Sequence, residues 1–322
     1  MKSKFLYKLG LIISICFLYL ALKGTNYSAV LKILSEVKLI YALPVAALSI
    51  LLVVLKAFRW KMVLDRFEVV PYKRLLSISM IANMFNVIFP FRAGEVFQIF
   101  ITKSRVNVKF GRSIIAGTIV LNKFFELLSL LILFYILTWF VVIPSSWVVP
   151  IRYLVIFSII FLLLFTFNII NLKKVLTPRN RFLRAAYDFL LSLKLLEDKI
   201  LLIKALFISL FIWSIELLMI SLLFVAFNLS LPFWVSIFVL VSINLAMLIP
   251  ATNASFGPYE YAIIIVLTTY KVSKETALSF AVTFHFLEIF LILLIGFWFY
   301  LKMKRTSNSL NSIDKNSTPK HS

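Results

Sequence analysis

Acidic, basic and amide side chains interrupt the apolar segments of this chain at two places, in a similar order. The first set is Asn86, Pro90, Arg92, Gly94 and Glu95, followed by Lys123 and Glu126 in the next apolar segment. The second set is Asn244, Pro250, Gly257 and Glu260, followed by His285 and Glu288. The separation between the proline and the last glutamate is nearly the same in both sets. We therefore treat these residues as candidates for substrate binding or transport.

The prolines and glycines predict helix breaks, each followed by a half-helix that begins inside the membrane. Pro258 follows Gly257 and suits the first position of a helix, with Ser255 or Asn253 as its cap. Gly94 opens the corresponding half-helix in the first set. A helix N-terminus carries roughly half a positive charge and free N–H groups. Two such ends that point inward would make a site for an anion.

Ionic side chains near these breaks would supply charges of both signs. Arg92 and Lys123 add full positive charges, and His285 adds a titratable one. The carboxylates that would hold these cations or carry protons are Glu95, Glu126, Glu260 and Glu288. A charged group at the centre of a membrane helix costs roughly 2.5–3.5 kcal/mol, so such residues usually face a bundle interior or a wet cavity. This mixture suits a zwitterionic or phosphate-bearing head group.

Simpler interpretations stay open for each of these residues. The prolines and glycines can merely punctuate loops, and Arg92 can extend to the membrane interface. Lys123 and Glu126 are three residues apart and can pair only with each other. His285 can be a hydrogen-bonded packing residue. Glu216, a further acid in an apolar run, can serve packing or hydrogen bonding as well as transport.

Composition predicts an all-α fold, a polytopic bundle of membrane helices. The hydrophobic fraction is 62% and the mean hydropathy is +1.02, whereas soluble domains are about 45–50% apolar. The apolar runs approach the ~20 residues that cross a bilayer as a helix. Six runs predict full spans, at 5–22, 40–58, 113–140, 151–171, 205–228 and 276–301. Two interrupted runs predict broken, re-entrant helical hairpins, at 73–106 and 233–270.

The positions of Lys and Arg predict the orientation of these helices. If both hairpins return to the side from which they enter, most of the 34 Lys and Arg residues fall on one side, which the positive-inside rule assigns to the cytoplasm. Both ends are then cytoplasmic, in a cell membrane, and the hairpins form an inverted repeat, a plan typical of secondary transporters. The predicted divisions are a membrane domain at 1–305, repeats at about 40–140 and 205–301, and a disordered tail at 306–322.

The charge and the cysteine count exclude several other classes. A net charge of +21 would indicate nucleic-acid binding in a soluble protein, but membrane orientation explains it here and no nucleic-acid partner is expected. Cys16 is the only cysteine and the two histidines are far apart, so we expect no disulfide within the chain, no metal and no cofactor. The basic segment 173–199 predicts an amphipathic helix on an anionic leaflet.

The motifs resemble those of a known family. Residues 86–95 read NVIFPFRAGE and resemble the N-x-x-x-P-x-R-x-G-E motif of the lysylphosphatidylglycerol synthase transmembrane-region family, whose members are also described as flippase-like. Residues 250–260 read PATNASFGPYE and are similar to its second motif, roughly P-x-S-P-G-G-x-G-x-x-E. Lys123 and Glu126 match the spacing of its E-R-x-x-D segment. The resemblance covers about residues 5–303.

The resemblance implies the membrane module of this family alone. In its best-known relatives this region moves aminoacylated phosphatidylglycerol across the bilayer, and a separate cytoplasmic domain transfers the amino acid from tRNA. This sequence departs from the motifs at four positions. Ala254 and Ser255 replace paired glycines, which would stiffen that turn, and Gln98 and His285 stand where arginine is common. If those arginines bind a lipid phosphate, the head-group preference of this chain is open.

The leading hypothesis is translocation or binding of an anionic or zwitterionic membrane lipid, such as an aminoacyl-phospholipid, a glycolipid or a polyprenyl-phosphate carrier. A second hypothesis is an accessory subunit for a separate glycosyl- or aminoacyl-transferase, docked through 173–199. A third is a membrane-embedded transferase, although the sequence has no D-x-D, no nucleotide loop and no nucleophile–base pair. A proton-coupled carrier of a small solute is a fourth. Enzymatic activity is therefore not the favoured hypothesis.

Overall fold

The computed structural model describes residues 2–89, 93–106, 108–139, 181–249 and 253–317, together with a few positions between 149 and 160. In this part of the chain the secondary structure is helical, without strands, which confirms the all-α prediction. The α-helices, numbered in chain order, are α1 (Lys2–Leu22), α2 (Tyr27–Glu36), α3 (Ala42–Leu64), α4 (Tyr72–Ile88), α5 (Ala93–Arg105), α6 (Arg112–Leu137), α7 (Arg181–Leu193), α8 (Lys199–Ala226), α9 (Phe233–Ala246), α10 (Pro258–Thr269) and α11 (Lys274–Ser317).

Four of the described helices are long and apolar enough to cross a membrane. They are α3 with the short turn before it, α6, α8 and the first part of α11, and they match four of the six predicted full spans. The first predicted span is α1, which is bent by 82° from α2, so that the two count as at most one further span. The predicted span at 151–171 lies outside the described residues. The predicted total of six full spans is therefore not tested.

Both predicted helix breaks occur where proline and glycine place them. The first run is divided into α4 and α5, and the second into α9 and α10. The two helices of each pair pack against each other, and a Cβ at Gly94 would overlap the Ala82 carbonyl oxygen. The short helical turn Asn253–Ser255, inside the second break, packs against α4. The re-entrant course and the inverted repeat stay predictions.

The last helix continues into the segment predicted as a tail, whose disorder stays a prediction. α11 continues to Ser317, into the segment from 306 for which the sequence predicts disorder. No glycine or proline interrupts the chain between Gly296 and Pro319, so a helix begun in the apolar span can propagate at little cost per residue. Residues 318–322 lie outside the described residues.

Among the described residues, three apolar clusters hold the helices together. The largest joins α8, α9, α10 and α11 with parts of α3 and α6. A second lies among α3, α4, α5 and α6. The third joins α3, α6 and α8 to the end of α7 and the turn after it. Gly296 of α11 lies so close to α4 that a Cβ there would stand 2.9 Å from the Met80 carbonyl oxygen.

The cytoplasmic helix predicted at 173–199 packs against the bundle as well. Its described part is α7, which lies along α6. Gly117 of α6 permits this contact, because a Cβ at that position would overlap the Ser192 hydroxyl group. Leu193 and Leu196 are buried in the third cluster. The apolar side of this segment therefore contacts other helices of the protein, where the sequence predicts contact with a lipid leaflet.

Candidate functional site

The first ionic cluster lies where α3, α6 and α8 meet. Arg59 of α3 is only 1% exposed, and its Nη2 lies 2.6 Å from the Glu126 Oε1 atom of α6. The same guanidinium donates to the Asn122 Oδ1 atom at 3.1 Å and to the Ser209 hydroxyl at 2.6 Å. Trp213 of α8 donates to the Glu126 carbonyl oxygen at 3.2 Å. The charge on Arg59 is therefore enclosed by polar partners from two neighbouring helices.

Glu126 has a second cationic partner, which reaches towards α5. Lys123 Nζ lies 2.9 Å from Glu126 Oε2 and 4.0 Å from Glu95 Oε1. The pairing of Lys123 with Glu126, foreseen as a simple alternative, is therefore present, but each residue has a further ionic partner. The side chain of Lys123 is 46% exposed, so this part of the cluster remains open. The structure thus brings together Glu95, Lys123 and Glu126 from the first set of candidates.

A cleft of about 80 Å³ opens beside this cluster. Charged and amide side chains supply most of its polar lining, and these are Lys56, Arg59, Asn83, Asn86, Glu95, Gln98, Asn122, Lys123 and Glu126. The Oδ1 atom of Asn86 is buried and has no hydrogen-bond partner among the described residues. Gly94 lies against that amide, since a Cβ there would stand 2.7 Å from it. The volume suffices for several waters. Pro90 and Arg92 lie outside the described residues.

The second ionic cluster lies where α10 begins against α11. His285 Nδ1 is 2.6 Å from Glu260 Oε1, and both residues are buried. The other carboxylate oxygen, Oε2, accepts a hydrogen bond from the Gly257 N–H at 2.7 Å. Pro258 occupies the first helical position, as predicted. Gly257 occupies the N-cap position and Glu260 reaches back to it, so the predicted N-cap at Ser255 is wrong, while the side chain of Asn253 lies outside the described part.

Tyr259 connects this pair to the last candidate glutamate. Its ring stacks on the His285 imidazole with centroids 3.9 Å apart and 13° between the planes. Its hydroxyl donates to Glu288 Oε2 at 2.9 Å. Asn244 donates to the Leu240 carbonyl oxygen of its own helix and is not placed in either cluster by a described contact. Pro250 lies outside the described residues.

An ion pair between α3 and α8 lies between the two clusters. Lys56 Nζ is 2.9 Å from Glu216 Oε1, and the Glu216 side chain is 13% exposed. Lys56 is close enough to Glu126 for their charges to interact, as Glu216 is to Glu288. The ionic groups therefore form a series, which runs from the partly exposed Glu95 and Lys123 to the buried Glu260.

Three of these residues are absent from the candidates drawn from the sequence. Lys56 lies near the end of the predicted span 40–58 and Arg59 just beyond it, whereas α3 continues to Leu64. Their spacing of three residues, with Trp60 beside them, places them on one helix face and is the signal that points to a pair of cations facing other helices. Tyr259 follows Pro258 directly, but tyrosine near a membrane interface is too common to single out.

The turn before α10 has a strained backbone. Ala254 and Ser255 have φ values of 52° and 58°, and Gly257 has 95°. Only glycine adopts such angles without steric cost. The left-handed backbone at Ala254 and Ser255 therefore costs roughly 1–2 kcal/mol for each residue. A Cβ at Gly257 would also stand 2.5 Å from the Ser14 carbonyl oxygen of α1.

Comparison with known proteins agrees with this architecture. Residues 7–296 match the family described as Lysylphosphatidylglycerol synthase TM region. A UPF0104 membrane protein of Methanocaldococcus jannaschii is 27% identical over 218 residues, which cover 66% of this chain and 90% of that protein. No solved structure matches the chain. The match along most of the sequence and the apolar helices show a multi-pass membrane protein, and the chain belongs to the Lysylphosphatidylglycerol synthase TM region family.

Proposed function

We propose that this protein binds the head group of an anionic or zwitterionic membrane lipid and moves it across the bilayer. The observation that carries this proposal is the cleft beside Lys123, lined by cations, carboxylates and amides within an apolar helix bundle. Burying such groups in a membrane protein is costly, and they usually mark the pathway of a substrate or an ion. Lipids and a separate transferase stay the expected partners. A cell membrane with both ends in the cytoplasm stays the expected location.

The chemistry of the cleft supports a lipid with a charged head group. Lys123 is half-exposed and Glu95 partly exposed, so both signs of charge are available to a ligand. The buried Oδ1 atom of Asn86 offers an acceptor for a hydroxyl or an ammonium group. A cleft of about 80 Å³ holds water or part of a head group. A complete head group therefore requires the helices around the cleft to separate.

A lipid-exchange assay in liposomes tests this proposal. The protein is reconstituted with fluorescent phospholipids of different head groups, and access to an impermeant quencher is followed over time. Charge-assisted hydrogen bonds contribute roughly 1.5–3 kcal/mol. If Lys123 or Glu95 contacts the head group during passage, Lys123→Met and Glu95→Gln should slow exchange by about 10- to 100-fold.

A matched control distinguishes a cleft contact from a general effect of charge. Lys194 and Glu197 form another ion pair with the same three-residue spacing, at 3.6 Å, outside the cleft. Lys194→Met should exchange lipid at the wild-type rate. Equal rates in wild type, Lys123→Met and Lys194→Met, or no exchange by any of them, would refute the proposal. Product formation by the purified protein would favour the transferase alternative.

A further inference from the structure

The Glu260–His285 pair connects the start of α10 to α11. Glu260 belongs to the first turn of α10 and His285 to α11, and the distance between Oε1 and Nδ1 is 2.6 Å. Glu260 is 4% exposed and His285 is 5% exposed. A carboxylate and an imidazole in direct contact, both removed from solvent, form a group that can take up or release a proton.

The start of α10 favours the ionised form of Glu260. Its second oxygen accepts the Gly257 N–H at 2.7 Å, and it lies at the positive end of the helix dipole. Gly257 offers no side chain for capping, so this carboxylate takes over that role. Because both interactions favour an ionised carboxylate, a proton that binds to the pair goes to the imidazole of His285.

The charges that face His285 come mainly from acids. Tyr259 stacks on the ring and donates to Glu288, while Glu216 of α8 and Lys56 of α3 act on Glu288 through space. An imidazolium at His285 would form a buried ion pair with the Glu260 carboxylate, whose Oε1 lies 2.6 Å from Nδ1, and a neutral imidazole would not. Proton uptake therefore strengthens the attachment of α10 to α11, and proton loss weakens it.

The remaining elements packed on α10 and α11 contribute few ionisable groups. α9 has none in its sequence, and the stretch of α1 beside Gly257 contributes Cys16, which is exposed. α2 and α4 carry theirs at Tyr27, Lys32, Glu36, Tyr72, Lys73 and Arg74. α3 also packs against α11 and carries the buried Arg59, which is paired with Glu126, whereas Glu260 is the acid in direct contact with the imidazole.

We infer that Glu260 and His285, with Tyr259 and Glu288, form a proton-binding site whose occupancy controls the attachment of α10 to α11. On the proposed function, this site would couple the movement of lipid to a proton gradient. The proton enters when the substrate cleft is in one state and leaves in the other, and no covalent step is required. The turn at Asn253–Ser255 packs against α4, which contributes Asn83 and Asn86 to the lining of the cleft. A movement of the start of α10 is therefore transmitted to the cleft through α4.

The proton site can be tested without any lipid transport. In a Cys16→Ser background, spin labels at the exposed positions Ile265 and Phe286 report the distance between α10 and α11 as pH is varied. The expected result is a shift of this distance with a single midpoint, and loss of the shift in His285→Gln. The chain has two histidines, so His321→Gln is the matched control and should retain the shift.

Either of two results would overturn the site: a wild-type distance that does not respond to pH, or a response that survives in His285→Gln. The wild-type measurement decides the matter even if His285→Gln does not fold. Vesicles with an imposed pH gradient test the coupling, with the expectation that reversing the gradient changes the direction of net lipid movement. If the direction of net lipid movement does not depend on the pH gradient, the coupling is refuted and the proposed function is not. Absence of exchange at every pH refutes the proposed function, while the label distance still tests the site.

Discussion

Removing the negative charge of Glu126 should destabilise the protein strongly. Glu126 lies 2.6 Å from Arg59 and 2.9 Å from Lys123. In Glu126→Gln the buried Arg59 guanidinium loses its counter-charge. Removing one partner of a buried pair costs about 3–5 kcal/mol. Glutamine still offers an oxygen to the guanidinium, so we expect about 3 kcal/mol, or a shift in the unfolding equilibrium of roughly 100-fold or more.

Reversible unfolding in mixed detergent micelles, followed by tryptophan fluorescence, measures this free energy. Lys194→Met is the control, because it breaks an ion pair at the protein surface and should cost no more than about 0.5 kcal/mol. The double variant Arg59→Met/Glu126→Gln removes both charges, so its loss should be clearly smaller than the sum of the single losses. A free energy for Glu126→Gln within about 0.5 kcal/mol of wild type would refute the argument that Arg59 depends on this partner.

Three further substitutions test close contacts and backbone strain. Gly94→Ala should destabilise by about 1–3 kcal/mol, because its Cβ overlaps the Ala82 carbonyl oxygen, and unfolding in micelles measures this loss. Gly117→Ala should loosen α7 from α6, because its Cβ meets Ser192, and faster amide hydrogen exchange in 181–193 would show it. Ala254→Gly should stabilise by about 0.5–1 kcal/mol, because φ is 52° there, and a higher unfolding temperature would confirm it. An unchanged value in any of these measurements contradicts the corresponding reason.

The helix breaks could be predicted because their causes are local. Pro258 has no N–H to donate and suits the start of a helix, so the position of α10 follows from the residues at its own beginning. The apolar spans are also predictable, since a chain in lipid must satisfy its backbone hydrogen bonds within each segment. The interaction that caps α10 involves residues farther apart in the sequence. It depends on Glu260, whose other oxygen is held by His285, 25 residues further along the chain.

The ion pairs of the two α3 cations could not be predicted from hydropathy, because their partners lie far away in sequence. Lys56 pairs with Glu216, 160 residues later, and Arg59 pairs with Glu126, 67 residues later. A sequence window around α3 shows that charged residues interrupt an apolar run, which is unfavourable in lipid. It does not show the distant acids that compensate for them. The hydropathy of the run therefore ends the predicted span at 58, although the helix that carries both cations continues to Leu64.

The placement of Lys56 and Arg59 gives α3 a specific role between the two halves of the site. The two cations lie three residues apart on one helix, so they move together when α3 shifts or rotates. Arg59 is bound to Glu126 beside the cleft, whereas Lys56 is bound to Glu216, whose charge acts on Glu288 beside the proton site. Any displacement of α3 that breaks the Arg59–Glu126 contact therefore also moves Lys56 and changes the electrostatic field at Glu288. A change of charge near His285 can thus alter the stability of the cleft through packed helices, without a ligand that touches both.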